Sequence, residues 1–177
     1  MEAILERDLS APSQHRAIRD LLQSIFAMEL LQPSNELWFL SAWVSDIEVL
    51  DNQARAFGDL VPDWPSAPIR LSRVLSEIAS RGARLRIVTR DLSSNNHFLS
   101  ALRPSSQLTA NRLKIWKAPD FHEKGIVGTD YVLDGSMNFT QNGITVNDEH
   151  LIYRASPAAA AERRLTLNRR WLGGQST

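Results

Sequence analysis

This sequence predicts an α/β fold, and three observations carry the prediction. Stretches with apolar residues at helical spacing alternate with short apolar runs of strand length. Between 71 and 89 a helix, a glycine and a strand follow one another directly, the rhythm of a parallel α/β unit. At 177 residues the chain, 1–177, is one domain by length and can bury a sizeable core.

The first helix is expected from Ser13 to Leu31, where Ile18, Leu21, Leu22, Ile25 and Phe26 share a face. Ser13 is its candidate N-cap and Pro33 lies past its end. The run from Glu36 to Val44 is apolar enough for a buried strand. Asp51 to Arg70 holds Gly58, Pro62, Pro65 and Pro68 and predicts a long irregular excursion, a lid or a groove wall. Leu71, Val74, Leu75, Ile78 and Ala79 mark a second helix closed by Gly82, and 85–89 the strand after it.

Phe98, Leu99 and Leu102 mark a third helix, and 113–117 a further strand. Ile126 and Val127, after His122 and Lys124, suggest a strand that would project both side chains from one face. Thr129 and Asp130 form a tight turn into a return strand, 131–133, and Gly135-Ser136-Met137-Asn138 follows where it ends. A strand at 151–153 precedes a helix with Pro157 at its first position, running through Ala161, Leu165 and Leu172. Arg163, Arg164, Arg169 and Arg170 would face outward, solvated or against a nucleic-acid backbone. His15, His97 and His150 have no visible constellation and are read as surface or strand residues.

With no cysteine, the chain has neither disulfides nor thiolate metal sites, which fits a reducing compartment. The first residues lack the charged and apolar regions of a signal peptide, and no apolar run reaches the length of a membrane span. A cytoplasmic protein without a membrane partner is the expectation. The net charge of zero conceals an asymmetry. Residues 1–69 hold 4 basic and 11 acidic side chains, a balance of −7, and residues 70–117 hold 10 and 2, a balance of +8. Taken alone, the acidic and basic parts pair or are solvated; beside the residues described next, the basic middle points to an anionic polymer as partner.

His122 and Lys124, then Ser136 and Asn138, deliver an imidazole, an ammonium, a hydroxyl and an amide to one region. An imidazole attacks phosphorus or protonates a leaving oxygen, while ammonium and amide neutralise the non-bridging oxygens. The segment resembles the phospholipase D superfamily, with its His-x-Lys-x4-Asp and Gly-Ser-x-Asn signature and a following Asn-x-Glu, here Asn147 to Glu149. At the signature's aspartate position stands Thr129, with Asp130 one place later; either Asp130 substitutes or Thr129 replaces the acid.

The resemblance covers nearly the whole chain from about residue 15 and implies a mixed β-sheet flanked by helices on both faces. It implies catalytic roles for His122 as nucleophile or acid, Lys124 and Asn138 as phosphate ligands, Ser136 as a supporting hydroxyl and Glu149 as orienter of the histidine. Trp43 is expected to wall the substrate pocket or to pack, and Arg90, at a strand's carboxyl end, to bind a phosphate or pair with Asp91. Only one His-x-Lys motif is present, so the resemblance implies a homodimer with a shared active site.

The activity so implied is a metal-independent phosphodiesterase with no cofactor, a nuclease working through a phosphohistidine on DNA in preference to RNA. The alternatives are a phospholipase or phosphatidyl transferase, and a nucleic-acid-binding module with weakened catalysis. The overall pattern also resembles the phospholipase-D-like member of bacterial deazapurine DNA modification and restriction clusters, which implies antiphage defence.

Overall fold

The computed structural model describes residues 5–10, 15–102, 112–147 and 149–173. Ser13, the expected N-cap, lies outside them. In chain order the elements are β1 (Leu5–Ser10), α1 (His15–Leu31), β2 (Glu36–Ser41), β3 (Glu48–Leu50), β4 (Ile69–Arg70), α2 (Leu71–Ser80), β5 (Arg84–Arg90), α3 (Asn96–Ala101), β6 (Leu113–Ala118), β7 (Gly125–Val127), β8 (Tyr131–Gly135), α4 (Gln141–Thr145), β9 (His150–Ala155) and α5 (Pro157–Trp171). Seven strands form one mixed sheet in the order β1-β9-β8-β7-β2-β5-β6, and β3 pairs with β4 in a small separate ribbon. The β2, β5 and β6 strands run parallel, whereas β7, β8, β9 and β1 join antiparallel.

Every residue of β2 is buried because helices cover both faces of the sheet where it lies. Its side chains alternate between two cores, as a period of two requires. Leu37 and Phe39 enter the larger core, with apolar residues of α1, α2 and α3; Trp38 and Leu40 enter the smaller one under α5. Phe39, fully buried against Phe98 and Phe139, is a position where truncation to Ala should cost about 3–5 kcal/mol.

The helix ends follow local chemistry. At the start of α2 no side chain of Arg70 caps; the Asp46 carboxylate does so instead, accepting from Ser72 N–H (2.8 Å) and Ser72 Oγ–H (2.9 Å). Gly82 follows that helix with φ +126°, a conformation in which a side chain would be strained. Pro157 opens α5 as expected, after Ser156 accepts from Ala159 N–H at 3.2 Å.

Several expectations are corrected. The 51–70 excursion is not a loose lid: Phe57, Val61 and Trp64 are buried in the main core, and its last residues form β4. It walls a cleft of about 440 Å³ together with α1 and α4, away from His122. In α5 the buried positions are Ala160 and Leu167, while Leu165 is 50% exposed. Arg163 and Arg164 do not simply face water. Arg163 pairs with Glu123 at 2.6 Å, and Arg164 donates to the Gly128 and Thr129 carbonyls, binding α5 to the β7–β8 hairpin.

Candidate active site

His122 and Lys124 lie in the irregular segment just before β7 rather than on the strand. The two side chains meet all the same, Lys124 Nζ reaching His122 Nδ1 at 2.8 Å. The imidazole is exposed, whereas Lys124 is buried. Burial pulls the lysine pKa below its ordinary value, and the Glu149 charge works against that shift.

The hairpin β7–β8 returns the chain to the same end of the sheet and delivers Ser136 and Asn138 immediately after β8. Gly135 closes β8 because a Cβ there would lie 2.0 Å from the His150 carbonyl oxygen. Ser136 Oγ then donates to Glu149 Oε2 at 2.5 Å and accepts from His150 N–H at 3.0 Å. Asn147 Nδ2 donates to Glu149 Oε1 at 3.1 Å. The buried Glu149 carboxylate is thus held by Ser136 and Asn147, and the group bonded to the His122 ring is Lys124.

The carboxyl ends of β2 and β5 supply the rest. Trp43 follows β2, and its ring meets the His122 ring edge-on, with centroids 5.9 Å apart and planes at 89°. Its backbone N–H donates to Asn138 Oδ1 at 3.2 Å. Arg90 ends β5 with its guanidinium 5.5 Å from the centre of the Trp43 ring and its Nε–H bonded to Pro119 O at 2.7 Å. Asp91 pairs with Lys117 instead (3.9 Å). The structure therefore brings His122, Lys124, Asn138, Trp43 and Arg90 to one end of the sheet, with Ser136 and Glu149 behind Lys124.

Of the basic stretch, Arg84, Arg86 and Arg112 lie at the other end, where β5 and β6 begin; Arg86 is buried beside Glu36 at 3.5 Å. The charge excess of 70–117 is therefore not one groove. The Thr129–Asp130 turn is also remote from the imidazole. Thr129 N–H donates to Ser34 Oγ (2.8 Å), and Asp130 is exposed. Beneath that turn lies Glu29, 1% exposed, which accepts from Ser34 N–H (2.8 Å), Ser34 Oγ–H (2.7 Å) and Tyr131 O–H (2.9 Å).

Three polar residues escaped the sequence reading. Asn95 accepts from Val44 N–H at 3.0 Å and donates to the Ala42 carbonyl (2.9 Å), Thr89 Oγ1 (2.7 Å) and the Arg90 carbonyl (2.9 Å). It joins the ends of β2 and β5 and so fixes the backbones of Trp43 and Arg90. Ser41 does similar work, donating to the Trp43 carbonyl (2.6 Å) and accepting from Phe139 N–H (3.1 Å). Glu29 anchors the hairpin. Each sits in a sequence context that marks only helix, strand or loop, so periodicity gave no sign of it.

Residues 62–171 match the family model described as "Cardiolipin synthase, PLD-like domain", and the chain belongs to this phospholipase-D-like family. Among solved structures it is similar to Nuc from Salmonella typhimurium, a phospholipase D family member, at 16% identity and TM-score 0.62, covering 96% of this chain and 95% of that one. It is also similar to NucT from Helicobacter pylori at 14% identity and TM-score 0.59, covering 97% of both chains. A third likeness, at 12% identity and TM-score 0.53, is to TrmBL2, an archaeal chromatin protein described with a novel mode of DNA binding, over 95% of this chain and 52% of that one. These likenesses show a shared fold. A comparison with curated protein sequences gives no match.

Proposed function

We propose that this protein is a phosphodiesterase acting on nucleic acid, with His122 as nucleophile. The observation that carries this reading is the contact of the exposed His122 imidazole with a buried, partly desolvated Lys124, Nζ to Nδ1 2.8 Å, beside Asn138. An imidazole nitrogen attacks phosphorus, forming an N–P bond as the bond to the leaving oxygen breaks. Lys124 and the Asn138 amide neutralise charge on the non-bridging oxygens. The leaving oxygen takes its proton from a second imidazole, His122 of the partner subunit in a two-fold dimer. Water, deprotonated by that same imidazole, then breaks the N–P bond and releases the phosphomonoester.

Nucleophile, acid and phosphate cations all come from protein groups, so the reaction is proposed to run without a divalent metal. Among the described residues no cluster of three or more His, Cys, Asp or Glu is arranged to hold one. Cationic Arg90 and Lys124 at the site end of the sheet suit a polyanion. DNA is the preferred polymer in this reading, supported by the likeness to a chromatin protein described with a novel mode of DNA binding. A role in antiphage defence accompanies it on the strength of the sequence resemblance alone.

The family's description as a cardiolipin synthase domain favours a second reading, a phosphatidyl-transfer or phospholipase activity. No described helix is long and apolar enough to cross a membrane. The experiment incubates the protein in EDTA with labelled single- and double-stranded DNA, RNA and a phospholipid. Cleavage of a nucleic acid is expected. Cleavage of the lipid alone would favour the second reading, and binding without cleavage would favour a module that has lost turnover. Activity that vanishes in EDTA and returns with magnesium would sink the metal-independent mechanism.

A further inference from the structure

Arg90 and Trp43 are joined to each other and to the nucleophile in a way that the hydrolysis of a single diester does not require. The guanidinium lies 5.5 Å from the centre of the Trp43 ring, and that ring stands 5.9 Å from the His122 ring. Arg90 Nε–H is committed to the Pro119 carbonyl, three residues before His122. Among the described residues no carboxylate pairs with Arg90, and its neighbour Asp91 is turned to Lys117. Elsewhere on the surface Arg81, Arg154, Arg163 and Arg170 each pair with a carboxylate. Arg90 therefore presents a fork, held at Nε, whose two Nη groups meet no anion among the described residues.

The pair is also held by a buried frame. Asn95, 1% exposed, bonds the Arg90 carbonyl, Thr89 Oγ1, the Ala42 carbonyl and Val44 N–H, fixing the backbone on both sides of Trp43 and at Arg90. A guanidinium with this preorganisation suits bidentate contact with phosphate, and a half-buried indole suits contact with a nucleobase. A guanidinium-to-ring step of 5.5 Å and a ring-to-ring step of 5.9 Å put the fork within a nucleotide or two of the attacked phosphorus.

Resting on the phosphodiesterase reading above, we propose that Arg90 and Trp43 form a subsite for the nucleotide flanking the scissile phosphate. Arg90 takes that nucleotide's phosphate and Trp43 packs against its base. The substrate is then a polynucleotide strand with an accessible base beside the cut, and an isolated diester fills only part of the site.

The test uses two dinucleotides with one cleavable linkage, one carrying an additional terminal phosphate and one lacking it, with the full-length protein. The wild type should favour the phosphorylated substrate in kcat/KM by about tenfold or more, the scale of one charge-assisted hydrogen bond. Arg90→Gln should collapse that ratio towards one, and the salt slope of oligonucleotide binding should fall by about one. Trp43→Ala should lower kcat/KM more on single-stranded than on fully paired DNA of the same sequence, and Trp43→Phe should restore part of the difference. A wild type that cleaves both dinucleotides equally well overturns the subsite, as does an Arg90→Gln protein that keeps the full ratio. A wild type that cleaves no diester at all overturns the phosphodiesterase reading instead, and with it the subsite.

Discussion

Asn138 Oδ1 accepts the backbone N–H of Trp43 at 3.2 Å, across 95 positions of sequence. The bond settles which way the amide points. A backbone N–H is a donor only, so the carbonyl must face it and the NH₂ is left for the substrate side. The same bond draws the Trp43 backbone to the motif, beside the ring that Trp43 presents to His122.

Asn138→Asp tests that orientation. The carboxylate keeps an acceptor for Trp43 N–H but has no hydrogen to donate to a phosphate oxygen, and its charge repels one. Single-turnover cleavage should fall about 10²–10³-fold, the cost of one lost transition-state donor, with thermal unfolding little changed. Cleavage at the wild-type rate would remove Asn138 from the phosphate.

Glu149→Gln should act through Lys124. The ammonium is the form that binds phosphate, burial lowers its pKa, and the Glu149 charge raises it. Removing that charge lowers the lysine pKa further, so the alkaline limb of kcat/KM should move to lower pH. Turnover should also fall about 10²–10⁴-fold, while His122→Asn should abolish it and leave binding intact. An unmoved alkaline limb would uncouple Glu149 from Lys124, and a His122→Asn protein as active as the wild type would end the nucleophile assignment.

Glu29 carries a pH dependence of stability. Burial, the largest cause, holds its pKa above the ordinary value near 4.5 despite bonds from Ser34 and Tyr131. The folded state thus keeps the proton more tightly than the unfolded one. The resulting stabilisation is full below the ordinary value and is lost as pH rises through the folded pKa. Denaturant midpoints measured across that window should decline in the wild type and lose this component in Glu29→Gln. Glu29→Ala strands buried donors on Ser34 and Tyr131, at about 1–3 kcal/mol for each. Identical pH slopes in the wild type and Glu29→Gln would refute this.

The proposed shared-site dimer is tested by subunit exchange. Wild-type protein is mixed with an excess of His122→Ala protein. Each mixed dimer then lacks either attacker or acid, so the mutant should poison the wild type. Activity that tracks the wild-type protein added, after exchange has been demonstrated, would separate the two sites.

Most of the layout was legible in the sequence because it rests on local chemistry. Helical spacing marked α1 and α2, Gly82 and Pro157 marked helix ends, and β2 showed itself as a run too apolar to sit at a surface. His122, Lys124, Ser136 and Asn138 were legible because their chemistry is tied to short fixed spacings around one hairpin. Tertiary structure alone decided the bonds made across long separations. Asp46 caps α2 from 26 residues away, Glu29 reaches Tyr131 across 102, and Asn95 ties together the ends of β2 and β5. Such a bond needs one polar atom at one point in space, which leaves no periodic trace along the chain. The same reason separates Arg90 from Arg84 and Arg86. All three belong to one basic run, but a parallel strand carries its first residues to one end of the sheet and its last to the other, so only Arg90 stands beside Trp43 and His122.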